Sequence, residues 1–401
     1  MYSSVSLASR FVLGELLRHR FAVLWLGWAA SCLISYRDIS ARLSQGRDVP
    51  YAIGDLLVNY HGGFTRRGLF GELAVWLSDG LGGAPLHWAW AMAAIASGLL
   101  TWLGIRVLRA FPNEVGYLPF ILSPVCLLFV AYDSSAIFRK EMFGYLLLAL
   151  VLNAALARSE RAAAVWLAAA LVFAAPVLLA HEAVIFMAPA YAMAGWLVAR
   201  AWPQRRVWVL GWGVCLVIVA LVVLAAIVTA PVPNVAEICA ATRLRSCGGP
   251  FSALELTTWQ GVEMVVRRRT ELGLVYFGAF FALALAPLFG LRIGSAAPRL
   301  HLWVIGFAVL GVLPMFALGY DYGRWVQMTV LPLTLLAAVA VRLGVARLVS
   351  PWPPLAICLF VGTWSLSHAH AVFQFHAWMI WPALAVLSVS AWALGRFHTR
   401  K

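Results

Sequence analysis

Charge is scarce in this chain, and negative charge scarcer still. Only 11% of its 401 residues are charged, and 16 acids stand against 30 lysines and arginines. Soluble domains carry about a quarter charged residues. With 63% hydrophobic residues and a mean hydropathy of +0.87, an ordinary soluble domain is excluded. The motifs of soluble enzymes are missing as well: no P-loop, no Gly-x-Gly-x-x-Gly after a strand, no His-Glu-x-x-His and no Gly-x-Ser-x-Gly. No EF-hand or carboxylate-rich metal loop occurs, so a mechanism free of metal and cofactor is expected. The net charge of +14 comes without a basic run interleaved with aromatics, and no nucleic-acid partner is expected.

What is present is apolar sequence in lengths suited to a bilayer. Runs of roughly 20 residues recur at about 21–36, 86–105, 116–132, 142–157, 162–180, 183–199, 207–230, 272–291, 300–318, 326–341, 352–368 and 376–394. The expected fold class is all-α, a polytopic transmembrane bundle of about 12 spans with both termini cytoplasmic. Residues 1–20 form a basic leader with Arg10, Arg18 and Arg20, and 395–401 a short basic tail. Between them lies one transmembrane domain, 21–394, with outer loops at 37–85 and 231–271. The leader and first span also fit a signal peptide, with Ala29-Ala30-Ser31 near its end; retention as an anchor is the expectation. With the N-terminus inside, cytoplasmic segments hold 17 of the 30 basic residues and only three of the 16 acids. Every such loop has at least two basic residues, as the positive-inside rule requires. Cys32, Cys126, Cys215 and Cys358 fall within apolar spans and read as small hydrophobes. Cys239 and Cys247 share the outer loop 231–271, where a disulfide fits an oxidising compartment; a metal pair is the weaker alternative, with no nearby His to complete it.

Residues capable of chemistry gather at the outer ends of spans. The stretch Asn59 to Gly68 holds His61, the pair Gly62 and Gly63, and Arg66 and Arg67, just before an amphipathic run from Gly68 to Ser78. Paired glycines permit close backbone approach, and a helix start with adjacent arginines suits an anion such as a phosphate or diphosphate. A tight turn with arginines at lipid headgroups is the plainer account. Asp133 lies between the third and fourth spans with Arg139, Lys140 and Glu141, which also fit a solvated helix start. His181 and Glu182 form a hairpin within a long charge-free stretch, where ionisable groups are costly and point to function. Asp321 and Arg324 cap the ninth and tenth spans and also fit a simple i, i+3 pair. His368, His370 and His376 in the last outer turn read as interfacial residues. Converging on one outward cavity, Arg66, Arg67, Arg139, Lys140 and Arg324 would neutralise phosphate. His181, Glu182, Asp321 or Asp133 would act as general base on an incoming hydroxyl.

The motifs Gly62-Gly63-Phe64-x-Arg66-Arg67-Gly68, Arg139-Lys140-Glu141, His181-Glu182 and Asp321-x-Gly323-Arg324-Trp325 resemble those of bacterial polysaccharide-cluster membrane proteins. The resemblance extends to GT-C-type glycosyltransferases and to O-antigen or exopolysaccharide polymerases. It implies a multi-pass protein of the bacterial inner membrane, using polyprenyl-linked sugar donors outside the membrane in cell-envelope glycan synthesis. Two features depart from the GT-C pattern: Asp38, Asp48 and Asp55 are scattered rather than paired, and no soluble C-terminal domain follows the last span. The competing readings are a transporter or flippase of a lipid-linked or anionic saccharide, an envelope-assembly subunit docking partner proteins through 231–271, and an acyltransferase with a histidine base. Carriers bind near the bilayer midplane, where this segmentation places no charge.

Overall fold

The computed structural model describes residues 2–45, 51–65, 67–229, 233–244, 247, 251, 254–255, 259–260, 262–263, 267, 271–294, 300–319 and 321–366. Arg66, the three C-terminal histidines, the expected span 376–394, the tail 395–401 and most of loop 231–271 lie outside them. Helix dominates, in chain order α1 Tyr2–Ser44, α2 Tyr51–Leu56, α3 Leu69–Leu81, α4 Pro85–Leu108, α5 Leu118–Ile121, α6 Phe129–Tyr132, α7 Glu141–Ala155 and α8 Glu160–Ala180. There follow α9 Ala188–Ala201, α10 Arg206–Thr229, α11 Val235–Thr242, α12 Glu271–Leu285, α13 Leu300–Val312, α14 Met315–Leu318, α15 Tyr322–Arg342 and α16 Pro354–Gly362. The all-α expectation is modified by one small antiparallel ladder, β1 Leu291–Ile293 with β2 Ala346–Leu348.

Among the described residues, five helical stretches are long and apolar enough to cross a membrane: Pro85–Leu108, Glu160–Ala180, Glu182–Ala201, Arg206–Ala226 and Tyr322–Arg342. Glu141–Ala155 and Gly278–Gly290 are shorter apolar helices. These helices suggest a bilayer environment, and their exposure agrees with it. α10 turns Val207, Trp208, Leu210, Val214, Leu221 and Val222 outward, a face suited to lipid and costly in water.

Twelve uninterrupted spans are not what the described residues form. The expected span 116–132 is broken into a 3₁₀ turn at Val115–Tyr117 and the short α5 and α6. Pro119 and Pro124 each lack the N–H a helix needs. The broken segment is buried, with Leu118, Leu122, Val125, Cys126 and Phe129 inaccessible, the condition under which irregular backbone is tolerated at membrane depth. The expected span 300–318 is likewise interrupted at Pro314, between α13 and α14. Conversely, leader and first span form a single 43-residue helix, ~65 Å long, running past position 37.

At the centre stands α7, in which every residue but Leu150 is buried. It packs against α4, α8, α9 and α15. Polar side chains tie the helices together: Trp28 Nε1 donates to Ser97 Oγ at 3.0 Å, and Arg106 Nε donates to Asn153 Oδ1 at 3.0 Å. Because α7 opens directly with Glu141, its N-terminal end carries charge into the interior. The site is built there.

Candidate functional site

Four segments bring their ionisable residues to the N-terminal ends of α7 and α15. They are α2 with the loop into α3, the turn before α7, the α8–α9 hairpin and the turn before α15. Arg67 grips Glu182 as a fork, with Nε 3.0 Å and Nη2 2.8 Å from Oε1 and Nε 3.1 Å from Oε2. Its Nη1 lies 3.7 Å from Asp55 Oδ1, and Lys140 Nζ lies 3.7 Å from the other Asp55 oxygen. Lys140 also donates to the carbonyl of Arg67 at 2.7 Å. His181 Nε2 lies 2.9 Å from Glu141 Oε1, and its Nδ1 3.6 Å from Glu182 Oε2. Arg324 bonds both Glu141 and Asp321, the latter at 2.5 Å, and Arg139 lies 4.0 Å from Asp321. Four cations and four carboxylates, with His181 among them, make one connected cluster.

The cluster is dry. Lys140 and His181 are inaccessible, and Glu141 is 1% exposed. The solvated-helix-start reading of Arg139, Lys140 and Glu141 is therefore replaced by burial. Opposite charges at this spacing offset part of the desolvation cost, which is several kcal/mol per ion. Burial pushes the Lys140 ammonium down to about 8 against the pull of Asp55. Burial alone would raise the Asp55 carboxyl, but Lys140, then Arg67, His181 and Arg324, hold it below its ordinary range. Asp321 and Glu182 retain some access, with side chains 18% and 20% exposed.

Polar atoms without partners show where the cluster is incomplete. Arg139 Nε and Nη1, Arg324 Nε and Tyr145 Oη are buried with no hydrogen-bond partner. Native structures leave few such groups. Arg139 and Tyr145 line a cleft with Gln327, Ser97 and Thr101, whose free volume of about 20 Å³ admits roughly one water.

Of the sequence-predicted residues, His181, Glu182, Asp321, Arg67, Arg139, Lys140 and Arg324 meet here. Asp133 follows α6, and its carbonyl accepts the Ala136 N–H at 2.9 Å. His61 and Gly62 meet other partners, and Gly63 turns the chain with a left-handed φ of +106°. His61 is exposed and lies 3.7 Å from Glu72, while the Gly62 carbonyl accepts the Asn234 N–H at 2.8 Å. The close approach that Gly62 permits is to the Asn234 carbonyl, which a Cβ would overlap. Asn59 Nδ2 adds a bond to the Ile238 carbonyl at 2.9 Å, and Cys239 is disulfide-bonded to Cys247 with Cα atoms 5.8 Å apart. The turn at 59–63 thus anchors the disulfide loop beside the site.

Two members were not singled out from sequence. Asp55 was one of three scattered acids, although it sits in the apolar run Ile53 to Val58, where solubility gives no reason for a carboxylate. Glu141 carries no separate signal in sequence, standing beside Arg139 and Lys140, although it opens the most buried helix. Among the described residues no cluster of His, Cys, Asp and Glu is disposed to hold a metal. No family model, curated protein or solved structure matches the chain, so any function must be argued from this geometry.

Proposed function

We propose that the chain is a membrane glycosyltransferase or polysaccharide polymerase that uses polyprenyl-(di)phosphate-linked sugars at the extracytoplasmic face of a bacterial inner membrane. The observation that carries this reading is Arg139: a buried guanidinium with unused N–H groups, at the edge of a charge-balanced cluster. Arginine forks match phosphate oxygens bidentately, and a bound phosphate would take up those donors. The cleft must widen to admit one, as active sites commonly do on substrate closure or entry.

In this mechanism the acceptor hydroxyl oxygen attacks the anomeric carbon of the donor sugar. The carbon–oxygen bond to the diphosphate breaks, and the leaving group departs with the electron pair, stabilised by Arg139 and Arg324. The hydroxyl proton passes to a carboxylate. Asp321 is the favoured base, since both Glu182 oxygens are held by the Arg67 fork and Asp55 and Glu141 are buried. His181 and Lys140 then act as positioning residues.

Purified protein supplied with a polyprenyl-diphosphate sugar and an oligosaccharide acceptor tests this. The expected result is glycosidic transfer with release of the lipid carrier, abolished by Asp321→Asn and by Arg139→Gln. Passage of intact lipid-linked sugar across vesicles without bond exchange would replace this reading with a flippase. Neither transfer nor passage would remove both.

A further inference from the structure

At the opposite end of the bundle lies a cavity of about 400 Å³, within the range of small-molecule sites, with no charged residue in its lining. Met193 and Trp196 of α9, Ile305 of α13, Leu336 and Ala340 of α15 and Ile293 of β1 represent its walls. Trp196 is 54% exposed, so the cavity reaches the outer surface of the bundle. On α15 the first residue lining the cavity, Leu333, lies nine residues beyond Arg324, ~14 Å along the helix, which separates this cavity from the charged cluster.

The β1–β2 ladder closes its far end and has two unlike faces. Leu291, Ile293 and Ala346 line the cavity. Strand side chains alternate, so Arg292 and Arg347, directly opposite one another in register, take the other face. Both are exposed, and among the described residues neither has an ion pair. Like charges paired across strands destabilise a ladder, unless an anion lies between them. Arg342 in the last turn of α15 adds a third cation within two residues of the lining.

We propose that this is a binding site for one anionic phospholipid, its phosphate held by Arg292 and Arg347 and an acyl chain in the cavity. An apolar pocket alone would accept any chain; the unpaired arginines on the outer face of the ladder that closes it select the negative headgroup of a lipid whose chain passes the ladder's edge. The site is independent of the proposed transferase activity.

Native mass spectrometry of the purified full chain tests the proposal with two probes, dioleoyl phosphatidylglycerol and dioleoyl phosphatidylcholine. One phosphatidylglycerol should be retained at least roughly tenfold more tightly than phosphatidylcholine. The double variant Arg292→Gln/Arg347→Gln should abolish that preference. Ala192→Trp, at an exposed lining position where added bulk spares the core, should weaken retention of both lipids. Equal retention of the two lipids, or phosphatidylglycerol held by the arginine variant as by the parent, would overturn the headgroup assignment. Unchanged retention in Ala192→Trp would overturn the chain's placement.

Discussion

Lys140 donates its ammonium to the carbonyl of Arg67, 2.7 Å away, and Arg67 is held there with a left-handed φ of +70°. Non-glycine residues seldom adopt that conformation, and it persists where surroundings enforce it. One buried cation therefore holds in place the backbone from which the neighbouring guanidinium reaches Glu182 and Asp55. Removing it should cost both stability and geometry. Lys140→Met is expected to destabilise the protein by about 3 kcal/mol, the scale for breaking a buried pair from one side. The double variant Lys140→Met/Asp55→Asn should recover part of that loss. Thermal unfolding of the four proteins in detergent measures the coupling; strict additivity would show that the pair does not act as one.

The same lysine predicts a pH dependence. Its folded value is about 8, below the ordinary value near 10.4. Between those limits the folded protein binds fewer protons than the unfolded chain, so this group's contribution to stability rises with pH. It is fully present above the unfolded value and lost as pH falls through about 8. Activity should move the other way, because loss of the ammonium leaves the site one cation short. Transfer rate is expected to decline above pH 8 while the melting temperature does not fall with it. A rate flat to pH 10 would show that the charge on Lys140 is dispensable.

Arg139 should separate function from stability. Its Nε and Nη1 are buried without hydrogen-bond partners, a cost of about 1–3 kcal/mol for each such group. Arg139→Gln is thus expected to leave the melting temperature unchanged or raise it, while weakening lipid-phosphate binding at least roughly tenfold. Arg139→Lys restores the charge but not the fork and should recover only part of the affinity. KM for the lipid-linked donor, alongside the melting temperature, reads both effects. A parallel loss of both would assign Arg139 to the fold instead.

The cluster was legible in sequence because charge is so rare here that each outer turn stood out against apolar flanks. Seven of the predicted residues meet, in a buried ion-pair cluster rather than around an outward cavity, and the feature that marked them was position at the end of a span. Arrangement was less accessible. Arg67 and Glu182 are 115 residues apart, and nothing local indicates that the Glu182 carboxylate is occupied by that fork. Asp55 has no acid beside it to mark it, and its partners are cations from other segments, Lys140 and Arg67. Hydropathy also overstated the spans: 116–132 is apolar enough, but its prolines break the helix, and burial rather than length satisfies it. The β1–β2 ladder left no sequence signal, since three-residue strands are too short to show alternation.

Gly62 makes a structural prediction distinct from catalysis. Its Cβ-free face is filled by the Asn234 carbonyl, and the disulfide loop hangs from that contact. Gly62→Ala should force the two segments apart, and should do so without touching an ion pair of the cluster. Easier reduction of the Cys239–Cys247 bond by a mild thiol, with the Lys140–Asp55 coupling retained, is the expected pattern. Unaltered reduction kinetics would show that the contact does not secure the loop.

Sidedness provides the broadest test. Disulfides persist in oxidising compartments, and Asn234 joins the disulfide loop to the turn bearing His61, so these share one side of the bilayer. Arg347 follows the other end of α15, whose 21 residues span ~32 Å, about the thickness of a hydrocarbon core. In a background with Cys32, Cys126, Cys215 and Cys358 replaced by alanine, His61→Cys and Arg347→Cys should therefore react with a membrane-impermeant maleimide from opposite faces. His61→Cys should be the one labelled in intact cells, because the proposed donor must be reached from outside. Labelling of Arg347→Cys from that same side would mean that α15 does not cross, and the charged cluster could not lie at the outer lipid–water boundary that the proposed transfer requires.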